Sequence, residues 1–255
     1  MSHVVIAPTT AQAPVPSPCF KEYAGTILSS FIALTVQHLH TVENELAVLS
    51  VTEEVKRADW ERTRSIMQAY QDSSSSGIVW FALPDGDYYT IEDGLVGKKL
   101  SERNYFPGLM SGRRMIGDLV FSRSTGRKTV IVTVPVKRDG VVVGGLGATV
   151  FIDDLSHRID AAVSLPENLF FYALAPDGTT TRNRNTQLNF KDPRQQGIES
   201  LRLAADKMLS APEGEVTCEF GGTPRYAIYR TSALTGWKFA IGIKPGDSAS
   251  SGAGR

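Results

Sequence analysis

Ile78-Val79-Trp80-Phe81-Ala82-Leu83-Pro84-Asp85-Gly86 runs an apolar strand into a Pro-Asp-Gly turn. About ninety residues on, Leu169-Phe170-Phe171-Tyr172-Ala173-Leu174-Ala175-Pro176-Asp177-Gly178 does the same with one residue inserted. A repeat of about ninety residues is too long for a solenoid and fits a duplicated small domain. Between the copies lies Leu100-Ser101-Glu102-Arg103-Asn104-Tyr105-Phe106-Pro107, a polar and aromatic cluster at an expected helix start, which Ser101 can cap. Pro107 limits the regular part of that helix. A duplicated module with an arginine beside aromatics points to ligand sensing rather than catalysis.

Working outward from the first copy, residues 77–83 read as a buried strand and 87–92 as its returning partner. Strands follow at 119–122, 129–137 and 141–151, with Asp139-Gly140 as a hairpin turn between the last two. Two strands, a helical crossover and three strands predict a five-stranded antiparallel sheet. A short helix is expected over 153–164, where Asp153 and Asp154 complement the helix dipole. The second copy repeats the order, with strands near 169–175 and 179–182, a helix near 194–210, and strands near 215–220, 224–232 and 236–244. The predicted class is α+β.

Upstream, residues 20–51 read as one long helix. Leu28, Ile32, Thr35, Leu39, Val42, Leu46 and Leu49 step by fours and threes, a heptad seam without a proline. Two readings stand: an amphipathic helix lying on its own domains, or the seam of a parallel homodimer. They are compatible. Trp60, Arg64, Met67 and Tyr70 recur at helical spacing and predict a second helix over 52–71, stopped by Ser73 to Gly77.

At 255 residues, 42% of them apolar, the chain can bury one large core or two small ones. Lys plus Arg and Asp plus Glu number 27 each, so net charge supports neither nucleic-acid nor broad anionic-membrane binding. No run approaches the roughly 18 apolar residues of a spanning helix. Residues 1–18 lack the basic start of a signal peptide and are broken by Pro8, Pro14, Pro16 and Pro18. They read as a tail, as does the Gly/Ser/Ala-rich stretch 246–255. The expected layout is tail 1–18, helices 19–76, a first module 77–164, a second module 165–245, and tail 246–255. Cys19 and Cys218 match no zinc or redox spacing, and whether they pair is open.

Catalytic motifs are missing. His38 and His40 are two apart on a helix and face different sides, so they do not form a zinc-protease site. No Gly-x-Ser-x-Gly elbow occurs. Gly144-Gly145-Leu146-Gly147 falls within a strand pattern, where glycine permits close packing or a bulge. Neither a metal nor an organic cofactor is expected.

The string Leu100 to Phe106, Ile116-Gly117-Asp118, Ser122-Arg123-Ser124-Thr125-Gly126-Arg127, Val134-Pro135-Val136 and Gly144 to Leu155 resembles the ordered motifs of the double Cache family. These are extracytoplasmic sensor domains of bacterial chemoreceptors, histidine kinases and cyclic-dinucleotide enzymes. The resemblance covers about residues 20–245. It implies a long N-terminal helix carrying two PAS-like modules, with ligand in the first, membrane-distal one. It further implies a periplasmic or extracellular location and a membrane-anchored parent chain.

In the amino-acid-binding subgroup of that family, an arginine and two following aromatics hold the ligand carboxylate, and acidic residues hold its ammonium. This chain matches the first half with Arg103, Tyr105 and Phe106. It carries Phe121 and Arg123 where the subgroup places a tyrosine and an aspartate, and Thr149 where it places a second aspartate. A desolvated ammonium needs anionic or several neutral acceptors, so the resemblance implies a simple carboxylate or neutral polar ligand rather than an α-amino acid. Arg103 supplies a planar fork for a carboxylate. Trp80 and Phe81 point to opposite faces of their strand, as do Tyr88 and Tyr89; Trp80 and Tyr89 are the expected wall residues. Arg123 reads either as a second inward guanidinium or as a loop-facing surface residue. The function expected is a small-molecule sensor with no chemistry of its own; the alternative is a ligand-free structural or dimerisation module.

Overall fold

The computed structural model describes residue 16 and residues 18–74 and 77–244. The chain divides into two compact units. The first module comprises Phe31–Ala162 and Ser232–Gly236. The second comprises the described residues of 18–30, 163–231 and 237–244. The expected tail 1–18 lies outside the described residues except for Pro16 and Pro18, and Pro18 opens the first helix. The expected tail 246–255 lies outside them.

Helix α1 (Pro18–Ser50) buries Ala24, Leu28, Phe31, Thr35, Leu39, Val42, Leu46 and Ser50 within its own chain. Ala24, Thr35 and Leu46 fall on one 11-residue spacing, and Leu28, Leu39 and Ser50 on another. That period is close to the untwisted α-helix, unlike the 7-residue period of a left-handed coil. The heptad reading is corrected accordingly: Ile32 and Leu49 lie at the margin, while Phe31, outside the predicted seam, is fully buried.

The predicted second helix is two. Helix α2 (Glu53–Lys56) ends before Ala58, whose φ is 56°, and α3 (Trp60–Ser73) starts afresh. Asp59 forces the break by accepting the Glu61 amide at 3.0 Å as an N-cap.

The first module's sheet has six strands in the order β3-β2-β1-β6-β5-β4. These are β1 (Val79–Ala82), β2 (Tyr88–Thr90), β3 (Gly94–Leu95), β4 (Met115–Phe121), β5 (Lys128–Arg138) and β6 (Val141–Phe151). The five-stranded expectation missed β3, a two-residue edge strand pairing Leu95 with Tyr89. Between β3 and β4 lies α4 (Phe106–Met110), with Pro107 in its first turn. It starts later than Ser101, because residues 100–106 spend their amides on separate turns, Arg103 N–H to Leu100 and Phe106 N–H to Arg103. Asp139 and Gly140 both have positive φ, 53° and 81°, as a two-residue hairpin with strand-matched twist demands.

After α5 (Ile152–Val163), the second module's sheet runs β8-β7-β11-β10-β9. The strands are β7 (Leu169–Leu174), β8 (Thr180–Asn183), β9 (Glu213–Phe220), β10 (Thr223–Thr231) and β11 (Lys238–Ile243), with α6 (Glu199–Ser210) before β9. Without β3, the two sheets share one strand order, and every pairing is antiparallel.

The two Pro-Asp-Gly turns perform one job in each module. Leu83 N–H bonds the Asp87 carbonyl at 2.8 Å, and Ala175 N–H bonds that of Thr179 at 2.8 Å. Gly86 and Gly178 have φ of 91° and 93°, and each is also crowded from outside. A Cβ on Gly86 would meet Ser101, and one on Gly178 the Arg194 guanidinium. Each turn therefore seats the loop that crosses its own sheet face. In the first module Leu100 N–H bonds the Gly86 carbonyl at 2.7 Å, and Lys99 pairs with Asp85 and Asp87 at 2.9 and 2.8 Å. In the second, Arg194 donates to the Asp177 carbonyl.

Candidate ligand-binding site

In the first module one sheet face is covered by residues 96–110 and packs Trp80, Ala82, Tyr88, Leu100, Tyr105, Phe106, Leu109 and Ile131 into a core. Register explains the selection. Trp80 pairs with Thr90, and Ala82 with Tyr88, so those four side chains share a face. Gly147 lies opposite Trp80 on β6, and the indole fills the space a Cβ there would need. That close approach is the packing role expected for a glycine in this strand.

A cavity of about 20 Å³ remains in this face, walled by Trp80, Tyr88, Arg103, Tyr105, Arg123 and Thr149, among others. Arg103 donates from Nη2 to the Phe121 carbonyl at 2.9 Å, while its Nε is buried without a hydrogen-bond partner among the described residues. Tyr88 and Tyr105 flank the Trp80 ring at centroid distances of 6.4 and 6.2 Å. Burial pushes both phenols upward, with the Arg103 and Arg123 charges opposing it. Both hydroxyls therefore remain protonated donors at neutral pH.

Five of the eight expected site residues line the cavity: Trp80, Arg103, Tyr105, Arg123 and Thr149. Arg123 is neither a spare cation nor an idle surface residue. It donates to the Lys99 carbonyl and pairs with Glu102 at 2.6 Å. With Lys98 bonded to the Arg123 carbonyl at 2.9 Å, these contacts strap the 98–102 loop to the 122–124 turn over the cavity. Thr149 spends its hydroxyl on Ile78, donating to the carbonyl at 2.9 Å and accepting the amide at 3.0 Å.

The other three expected residues lie off the cavity wall. Tyr89 faces the other side of the sheet, where its ring stacks on Trp60, and Tyr88 takes its place. Phe121 is 55% exposed, because it ends β4 with its side chain turned outward; only its carbonyl serves the site, through Arg103. Phe106 is packed into the same core cluster as Trp80 and Leu109 and is not among the residues lining the cavity. The tight turn already held the Tyr88 signal: pairing Leu83 with Asp87 and stepping back once puts Tyr88 opposite Ala82, on Trp80's face.

Asp118 lies on β4 and is not among the residues lining the cavity. It lies across a bulge from Ile131, a cavity-wall residue, and burial holds its carboxyl above the usual range. A larger cavity of about 290 Å³ in the same module is lined by His38, Gln71, Glu92, Asp154 and Arg158, among others. Its charges are of mixed sign. Burial and Arg158 lower the pKa of His38 there. Neither cavity gathers metal ligands; no group of three or more His, Cys, Asp or Glu able to hold a metal occurs among the described residues.

Compared by sequence, the chain matches no family model and no curated protein. Compared by structure, it is similar to the sensory domain of the Campylobacter jejuni chemoreceptor Tlp3 with isoleucine bound: 13% identity, 88% of this chain and 92% of that one, TM-score 0.63. It is similar to the extracellular domain of the histidine kinase rpHK1S-Z16 at 15% identity, over 88% of this chain and 94% of that one, TM-score 0.70. An extracellular ligand binding receptor from Desulfohalobium retbaense aligns at 16% identity and TM-score 0.65, covering 90% of this chain but 41% of the receptor chain. The chain has the fold of receptor sensory domains. That is the two-module α+β arrangement which the double Cache resemblance implied. Cys19, exposed on α1, and Cys218, on β9, are both free thiols in this fold.

Proposed function

We propose that this chain is the small-molecule-sensing ectodomain of a membrane-anchored signalling receptor, and that a ligand carboxylate docks on Arg103 in the first module. One observation carries the reading: a partly buried guanidinium with an unpartnered Nε beside the phenols of Tyr88 and Tyr105. A carboxylate would complete that donor set with a charge-assisted bond. The fold of chemoreceptor and kinase ectodomains supports the sensing role. No helix among the described residues is long and apolar enough to cross a membrane.

Binding requires the strap to lift. A water alone needs about 10–15 Å³, and the cavity offers about 20 Å³. The same volume favours the second reading, a ligand-free module that assembles or transmits through its helices. A thermal-shift screen of small carboxylates separates the two. Under the sensing reading at least one raises the melting temperature, and Arg103→Ala abolishes that rise while the variant remains folded. A bidentate charge-assisted contact is worth about 1.5–3 kcal/mol, or roughly ten- to a hundredfold in affinity. Unchanged affinity in Arg103→Ala refutes the assignment, and silence across the screen favours the structural reading.

A further inference from the structure

The second module has its own cavity on the corresponding sheet face, of about 60 Å³. Its chemistry is simple. Phe170, Leu174, Leu188, Pro193, Leu201 and Phe220 give apolar walls, and Arg225 is its only charged side chain. Arg225 lies on β10 opposite Cys218 of β9, so its side chain shares the face that packs on α6. The guanidinium is clasped between Phe170 and Phe220, 5.1 and 4.6 Å from their ring centres.

What distinguishes Arg225 is the absence of a counter-charge. Among the described residues, no carboxylate pairs with it and no hydrogen bond reaches its guanidinium, and its Nε is buried without a partner. Arg194 and Arg202 of this module are paired, with Asp192 at 2.7 Å and Glu199 at 2.6 Å. Burial works against the charge on Arg225, lowering its pKa. Arg225 is half-buried, and the cost of desolvating a cation is normally met by a pairing group. The two aromatic faces offset only part of that cost, since a cation–π contact is weaker than a desolvated ion pair. Thr180, Asn183 and Gln196 add neutral polar groups around the same cavity.

We infer that this cavity is a binding site for a compact monoanion, a short-chain carboxylate between acetate and butyrate in size, held by Arg225. The volume equals about four to six water-sized spheres. One cation neutralises one carboxylate, and the apolar walls accept the alkyl end. A dicarboxylate would bury a second charge with nothing opposite it. The site shares no lining residue with the first module's cavity, and it gives the second module a ligand of its own.

The experiment uses the whole chain, with propionate as ligand and propionamide as its neutral isostere. In the wild type, propionate should raise the melting temperature and propionamide should not. The Arg225 Nε–H signal in an arginine-selective NMR spectrum should move on adding propionate and stay put with chloride at equal ionic strength. Arg225→Gln should lose at least about tenfold in affinity, and Arg230→Gln, at an exposed arginine of the same strand outside the cavity, should retain it. If Arg225→Gln fails to fold, the wild-type NMR titration decides alone. An unmoved Nε–H signal under a large excess of propionate overturns the inference. An equal response to chloride or propionamide, or unchanged affinity in a folded Arg225→Gln, also overturns it.

Discussion

The ring of Tyr89 lies nearly parallel to the indole of Trp60, centroids 5.0 Å apart and planes 18° from coplanar. That stack ties β2 to α3 and commits the neighbouring Tyr88 to the cavity on the opposite face. The two tyrosines, adjacent in sequence, therefore separate stability from binding. Tyr89→Ala should cost stability, including about 0.5–1.5 kcal/mol for the lost stack, and leave carboxylate affinity unchanged. Tyr88→Phe should keep the fold and weaken a carboxylate ligand several-fold through one lost hydroxyl donor. Denaturation curves and calorimetry on both variants check the division. Lower affinity in Tyr89→Ala alone would place the wrong tyrosine at the site.

Gly147 shows the same register from β6. The Trp80 indole lies over it, so Gly147→Ala must push the ring off its packing position. Overpacking of this kind costs about 1–3 kcal/mol. The expected result is a lower denaturation midpoint with altered tryptophan fluorescence. Gly94→Ala is a useful control, because nothing lies within 4 Å of its Cβ position, although its φ of 61° adds local strain. An unchanged midpoint in Gly147→Ala would show that the cavity wall yields freely.

Much of this was legible because it depends on local chemistry. The paired Pro-Asp-Gly turns announced the duplication, since a φ near 90° at Gly86 and Gly178 demands glycine. Asp139-Gly140 marked its hairpin for the same reason. What escaped the reading depends on long-range choices. The heptad and 11-residue patterns share Leu28, Thr35, Leu39, Val42 and Leu46, and only the packing partner of α1 selects between them. Arg123 carries no sequence sign that Glu102 and the Lys99 carbonyl will claim it. Arg225 escaped notice because an isolated arginine on a strand reads as surface until its surroundings are known.

The Arg123–Glu102 pair joins the 98–102 loop to the 122–124 turn beside the cavity, and its strength can be bounded. Glu102 is 70% exposed, so solvent screens the pair to about 0.2–1 kcal/mol. Glu102→Gln should shift the population toward the open loop and raise apparent affinity by up to about fivefold. The gain should appear mainly in the association rate. Slower association or weaker binding in Glu102→Gln would mean the pair orients the ligand site instead of closing it.

Asp118 supplies a pH signature. Burial raises its folded-state pKa above the ordinary 3.8, so folding takes up a proton between the two values. Its contribution to stability is therefore greatest below pH 3.8 and declines as pH rises through the folded value. That is the reverse of a salt-bridged carboxylate. Asp118→Asn removes the ionisation, so the variant should melt higher than wild type at pH 7, with the gap closing as pH falls toward about 4. A gap that stays constant over this range would mean that Asp118 ionises as freely in the folded protein as in the unfolded chain.

Ligand charge gives the sharpest test of the first module. An α-amino acid brings a carboxylate and an ammonium, and both must be satisfied once water is excluded. Arg103, Tyr88 and Tyr105 offer donors to the carboxylate. The cavity wall offers the ammonium no carboxylate: Arg123 adds like charge, and Thr149 has already engaged its hydroxyl with Ile78. Placing an ammonium there adds repulsion to its desolvation cost. A hydroxyl in the same position carries no charge and can donate or accept. Calorimetry with 2-hydroxyisovalerate and valine, matched in shape, should therefore show the hydroxy acid binding more tightly by at least about tenfold. Asp118 is the carboxylate on the face of Ile131, a residue of the cavity wall. Valine binding more tightly, with the preference lost in Asp118→Asn, would identify that carboxylate as the ammonium acceptor and make this an amino-acid site.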